Sequence, residues 1–196
     1  MEPFDRRRDA LLRVAARVFA ARGYHRTTMR DLSRASGMSL AGMYYYVRGK
    51  EDLLREIQRG CFERVRRGAE EAVAGAAGPE ERLLAFIRHH VTFFADHMDE
   101  MKVLSHEAES LSGGAREDVN RLKRSYVDLC LALLADLDAQ ADGERPNRQV
   151  AAYTLFGMMN WIYTWYDPSG PVGVEELAES IGRLFINGYA AEVQAR

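Results

Sequence analysis

The sequence predicts an all-α fold of about nine helices. Two observations carry that expectation. Apolar residues recur at helical spacing along the whole chain and nowhere alternate convincingly at period two. Stop signals at Gly23, Gly49, Ser112-Gly113-Gly114 and Asp167-Pro168-Ser169-Gly170-Pro171 cut this pattern into segments of ordinary helical length. The 196 residues, 47% of them hydrophobic, suffice for a real core, and no repeat period or low-complexity tract appears.

The first helix is expected from about Phe4 to Arg22, with Leu11, Val14, Ala15, Val18 and Phe19 as its apolar stripe and Gly23 as its stop. Thr28 and Asp31 read as a capping pair that opens a short helix to about Ala35. Ser36-Gly37-Met38 makes a tight turn, and Ser39 caps a third helix to about Tyr46. A long helix follows from Lys50 to about Ala74, and Gly75 to Pro79 is the one composition break in the first half. Further helices are expected at about 80–97, 100–111, 116–141, 146–166 and 174–194, with a turn at 143–146 where Pro146 suits a first helical turn. The expected domains are 1–50 and 51–196.

Charge is uneven. Residues 1–58 hold 12 Lys/Arg against 7 Asp/Glu, a net of +5, and the remainder hold 15 against 22, a net of −7. A basic end on an acidic body suits contact with a polyanion. Cys61 and Cys130 sit far apart within apolar helical patterns and read as buried free thiols, pointing to a cytoplasmic protein. The longest nearly uncharged stretch, Leu155 to Tyr166, is 12 residues, too short to cross a bilayer, and the charged N-terminus lacks the apolar core of a signal peptide.

Residues 23–54 carry the functional signal. A helix-turn-helix needs two short helices held at a fixed angle by a small turn; Gly37 supplies the turn, and Leu32, Ala35, Met38 and Met43 the small core beneath it. The second helix must enter the major groove, so its leading face cannot be bulky. Ser39-Leu40-Ala41-Gly42 meets that condition. Tyr44 and Tyr45 follow one turn later, where hydroxyls could reach phosphates. Lys50 opens the next helix with an ammonium and free N–H groups, Thr28 opens the first motif helix in the same manner, and Arg30 is placed to reach a base edge or a phosphate.

The segment Gly-Tyr, Thr-Thr, Gly-Met-Ser, Gly-Met-Tyr-Tyr-Tyr, Lys-Glu-Asp-Leu-Leu resembles the DNA-binding signature of the TetR/AcrR family across its full length. The resemblance implies an N-terminal three-helix DNA-binding domain and a C-terminal helical domain for ligand binding and dimerisation. It further implies a homodimer on a palindromic double-stranded operator, with repression relieved by a ligand. Carried over by position, Thr28, Arg30, Ser39, Leu40, Ala41, Gly42, Tyr44, Tyr45 and Lys50 would contact DNA. Tyr46 stands where the family often has histidine or phenylalanine and suits packing as well as contact, and Arg6-Arg7-Arg8 suits either a DNA-contacting arm or a solvated run.

In the second domain, Ala151, Leu155, Met158, Met159 and Ile162, with Leu177, Ile181, Leu184, Phe185 and Gly188, form stripes expected to serve a four-helix dimer interface as well as the chain's own core. Phe62, Phe86, Phe93, Phe94, Met101, Tyr126, Tyr153, Trp161 and Trp165 are the candidate lining of an effector pocket. His89, His90, His97 and His106 lie near acidic residues, but the tight two-ligand spacings of a metal site are absent, so no metal and no resident cofactor is expected.

Phe156 to Pro168, with Glu175-Glu176-Leu177 and Leu184 to Gly188 downstream, is similar to the FadR-like branch of the same family, whose members sense acyl-CoA thioesters. That likeness implies an acyl tunnel between helices, with Trp161 and Trp165 beside the thioester or pantetheine. Asp167 departs from it, standing where related sequences often carry arginine, so positive charge for the CoA would come from elsewhere, such as Arg88, Arg121, Lys123 or Arg124.

The expected function is thus a ligand-responsive transcriptional regulator, released from DNA by an acyl-CoA or related CoA thioester as the long fourth helix swings. The alternative effector is an uncharged hydrophobic or aromatic compound, with efflux or catabolism under control. An enzyme is disfavoured: there is no nucleophile elbow, Gly-rich phosphate loop or paired-carboxylate motif.

Overall fold

The computed structural model describes residues 3–139 and 146–191. Among them are nine α-helices and one 3-10 turn, and no strand. The helices are α1 (Pro3–Arg22), α2 (Met29–Ser36), α3 (Leu40–Tyr44), α4 (Lys50–Ala74), α5 (Pro79–Asp96), α6 (Met98–His106), α7 (Gly113–Asp138), α8 (Arg148–Asn160) and α9 (Val174–Ala191), with the 3-10 turn Trp161–Thr164 after α8. Most of the expected 143–146 turn, and the end of the last helix beyond 191, lie outside the described residues.

Packing divides the chain into two compact units. Met1–Phe62 joins Met98–Leu122, and Glu63–His97 joins Lys123–Arg196. Residue 50 begins α4, but the first unit continues along that helix to Phe62 and also takes in α6 and the start of α7.

In the first unit, Leu11, Ala15 and Phe19 of α1 close over Leu32, Met43, Leu53 and Leu54, with Val103, Leu111 and Val119 completing the same cluster. The expected capping pair is present in full: the Thr28 hydroxyl accepts from Asp31 N–H at 3.2 Å while the Asp31 carboxylate accepts from Thr28 N–H at 3.0 Å. These bonds from Thr28 hold the Asp31 carboxyl below the usual carboxylate range. Gly37 ends α2 with φ +69°, a left-handed conformation that a Cβ would strain. One expected core residue departs: Ala35 is exposed, because the side of α2 facing the core is used by Leu32 and Met29.

Several helix boundaries also differ from the sequence expectation. α6 stops at His106, not near Leu111: the Glu107 N–H still bonds the Val103 carbonyl at 2.9 Å, but the Glu107 carbonyl accepts from Gln58 Nε2 and from Ser110 N–H, and Leu111 is drawn into the core. Gly113 and Gly114, expected as a stop, therefore open α7. α8 gives way to a 3-10 turn at Trp161, where the run Trp-Ile-Tyr-Thr-Trp-Tyr combines aromatic and β-branched residues of weak helix propensity. Thr164 Oγ1 donates to the Trp161 carbonyl at 2.7 Å within that turn.

In the second unit, α5 packs along α9 closely enough that a Cβ on Gly182 would meet Leu84 Cδ2 at 2.7 Å. His89 lies equally close to α4, its Nε2 3.2 Å from the Val65 carbonyl and its ring where a Gly68 Cβ would fall. No described helix is long and apolar enough to cross a membrane.

Candidate nucleic-acid interface and effector-domain core

The helix-turn-helix is built as a bare leading end on a well-anchored base. Ser39 caps α3, its Oγ accepting from Gly42 N–H at 3.0 Å. Met43 is buried beneath, while Ser39, Ala41, Tyr44 and Tyr45 are exposed and Leu40 and Gly42 half-buried. A Cβ on Gly42 would press on the capping hydroxyl at 3.2 Å, so glycine keeps both the cap and the low profile. Tyr45 is 73% exposed, with its ring edge-on to Phe4 at 5.6 Å. Tyr46 instead packs against the unit's core and lies 4.8 Å from the Phe4 ring, which favours the packing role for it.

Around this end, Arg30 is exposed and has no ion pair among the described residues. Arg6 and Arg7 are also exposed, whereas Arg8 is taken up by Glu56. Thr28 is exposed, but its hydroxyl already donates to Asp31 Oδ2 at 2.6 Å as part of the cap. Lys50 also serves the fold. Its Nζ donates to the Tyr24 carbonyl at 2.9 Å and sits 4.2 Å over the Tyr24 ring, so its charge tethers the loop before α2. Arg48, exposed just before α4, is a basic residue that sequence reasoning passed over.

The candidate effector residues separate into three groups. Phe86, Phe94 and Tyr126 are buried together in the second unit around His90, with Phe156 as a further wall. Phe93, half-buried beside them, stacks on His97 at 4.3 Å. Tyr153, Trp161 and Trp165 stand exposed on the second unit and line none of this core. Phe62 and Met101 belong to the first unit, Phe62 against its core and Met101 buried in α6.

His90 is the residue that spacing did not single out for this core. Its Nδ1 accepts from Tyr126 Oη at 3.0 Å and its Nε2–H donates to Asn160 Oδ1 at 3.0 Å. Complete burial pushes its pKa down to about 3, so the imidazole is neutral and both ring nitrogens are satisfied. The bonds join residues 36 and 70 positions apart, and no local pattern announces such a cluster. No group of metal-ligating side chains occurs among the described residues. Cys61 and Cys130 are buried and not joined in a disulfide, and burial pushes the Cys130 thiol up to about 12.

The dimer stripes expected from sequence need correction. Ala151, Leu155, Met159 and Ile162 are buried within the chain, as are Leu177, Ile181 and Phe185, and Met158 is half-buried. The apolar face left in solvent keeps Leu184 and Gly188 of the expected α9 stripe, but on α8 and its 3-10 turn it is offset, to Val150, Tyr153, Gly157 and Trp161.

Comparison with known proteins agrees with this construction. Residues 11–57 match the bacterial regulatory proteins of the tetR family, and residues 76–189 match the tetracyclin repressor-like C-terminal domain. This chain belongs to the tetR family. It is a DNA-binding transcriptional regulator and not an enzyme, as the sequence led us to expect. Among its family relatives, the HTH-type transcriptional repressor KstR2 of Mycobacterium tuberculosis (strain ATCC 25618 / H37Rv) is 26% identical over 193 residues, covering 95% of this chain and 94% of the relative. The HTH-type transcriptional regulator BetI of Rhizobium meliloti (strain 1021) is 33% identical over 181 residues, with 89% and 84% covered. The crystal structure of AibR in complex with isovaleryl coenzyme A and operator DNA is similar at a TM-score of 0.82 and 30% identity, covering 91% of this chain and 97% of AibR.

Proposed function

We propose that this regulator is a homodimeric repressor that leaves a palindromic operator when an acyl-CoA or related CoA thioester binds its C-terminal domain. The observation that supports both kinds of partner is the likeness, over 91% of this chain, to AibR, whose structure contains isovaleryl coenzyme A and operator DNA; release on binding is the part the experiment below tests. Thr28, Arg30, Ser39, Leu40, Ala41, Gly42, Tyr44 and Tyr45 form the proposed reading surface, with Lys50 contributing through the loop it holds. Two copies are needed because a single short helix reads few base pairs, and two-fold pairing matches a palindrome. The exposed face of Val150, Tyr153, Gly157, Trp161, Leu184 and Gly188 is the proposed dimer surface. The aromatic core around His90 is the proposed acyl end, and exposed Trp165 a neighbour of the pantetheine arm.

A second reading, an uncharged hydrophobic or aromatic effector, is favoured by Asp167. Its carboxylate is taken up by Ser169 in a local turn, and these bonds hold it below its ordinary range, so this position supplies negative charge. Release of a fluorescent operator duplex decides between the two. The CoA reading expects isovaleryl-CoA, or a longer acyl-CoA, to release the duplex where free CoA does not. Release only by uncharged aromatic compounds would favour the second, and native mass spectrometry of protein purified from its host would show which class co-purifies.

A further inference from the structure

Tyr24 lies in the short loop between α1 and Thr28, the cap of α2, and its backbone is gripped from two sides. Its carbonyl takes the Lys50 ammonium, while its N–H donates to Glu107 Oε1 at 3.0 Å. Glu107 comes from the turn after α6, 83 residues away, and is buried. Its other carboxylate oxygen accepts from Ser110 Oγ at 2.6 Å, and its own carbonyl accepts from Gln58 Nε2 at 2.9 Å. His25, next to Tyr24, meets Ser110 Oγ at 3.2 Å. A carboxylate taken out of water is costly unless its hydrogen bonds are made. Here two of them end on the loop that fixes where α2 begins, one directly and one through Ser110.

We propose that Glu107 is a positioning residue for DNA reading, one that touches no DNA but sets the Tyr24–Thr28 loop and so the placement of α2 and α3. The loop can be held by its Lys50 tether alone, but that grip leaves the Tyr24 N–H without its acceptor and the loop free to tilt. Specific binding needs side chains placed to well under an ångström, whereas charge-driven binding to any duplex does not. Loss of Glu107 therefore acts on discrimination and spares general affinity.

The test compares wild type with Glu107→Ala, Glu107→Gln and Ser110→Ala on two duplexes. One is a palindrome selected by the wild-type protein from a randomised library; the other is its scrambled version. Glu107→Ala is expected to weaken palindrome binding about tenfold, the scale of one lost hydrogen bond to a charged acceptor, with scrambled binding changed less than about twofold. Glu107→Gln keeps an acceptor for the Tyr24 N–H without the charge and is expected within about threefold of wild type. Amide exchange of residues 23–28 should rise in Glu107→Ala while the rest of the protein stays protected. If that variant does not fold, Ser110→Ala carries the test, with an expected loss of about threefold on the palindrome alone. The proposal is overturned if palindrome and scrambled affinities fall together in folded protein, if Glu107→Gln is as weak as Glu107→Ala, or if both Glu107→Ala and Ser110→Ala discriminate like wild type.

Discussion

At the scale of single residues, the chain places polar groups where each has a mechanical task. His90 has a consequence for stability. Its folded pKa of about 3 lies below the ordinary histidine value of 6.5, so the unfolded chain binds a proton more readily between those pH values. The stabilisation from keeping this ring neutral is full above pH 6.5 and is lost as pH falls towards 3. Between pH 8 and pH 5 the loss from this one group is about 2 kcal/mol. Denaturant titrations across that range check it: a His90→Gln variant should be less stable at pH 8 yet show a shallower acid decline. Ser39→Ala should cost about 1 kcal/mol as a lost helix cap and weaken operator binding as well, because the same helix end is the reading surface. The caps were legible in the sequence because their donors and acceptors lie three residues apart. Glu107 and the His90–Tyr126–Asn160 cluster were not, because their partners meet only through the fold.

Glycines make the same point at the scale of helices. Gly157 and Gly182 look alike in sequence, each inside an apolar helical stretch. A Cβ on Gly157 meets nothing within 4 Å, whereas one on Gly182 meets Leu84 at 2.7 Å. Gly157→Ala is therefore expected to leave the chain's own fold unharmed or to strengthen α8 by about 0.5–1 kcal/mol. Gly182→Ala must displace the Leu84 methyl, and that displacement offsets the gain in helix propensity, so it is expected to stabilise the chain less than Gly157→Ala does. Thermal melts of the two variants side by side check the contrast. Helical periodicity placed nearly every element, but it could not divide the apolar stripes of α8 and α9 between the chain's own core, which takes most of their residues, and the face left in solvent, which keeps Leu184 and Gly188. Periodicity shows that a face is apolar; it does not show what covers it. The early end of α6 escaped detection for a related reason, since the tertiary hydrogen bonds that Glu107 accepts from Tyr24 N–H and Gln58 Nε2 outweigh local helix preference there.

For the whole molecule, the account requires two copies of one exposed helix end brought to one face of a duplex. The apolar face left on α8 and α9 is where the second copy is expected to dock. Gly157→Arg, which the chain itself can accommodate, should turn a dimer into a monomer by light scattering and lower palindrome affinity by roughly a hundredfold or more, since one half-site remains. The most direct measurement is the binding isotherm of Ala41→Glu on the selected palindrome. Ala41 is exposed on the leading face of α3, so the variant should melt within about 2 °C of wild type, and its added bulk and negative charge should cut specific binding by on the order of a hundredfold. A folded Ala41→Glu protein that binds the palindrome as tightly as wild type would contradict the account, because the duplex would then be read by some other surface.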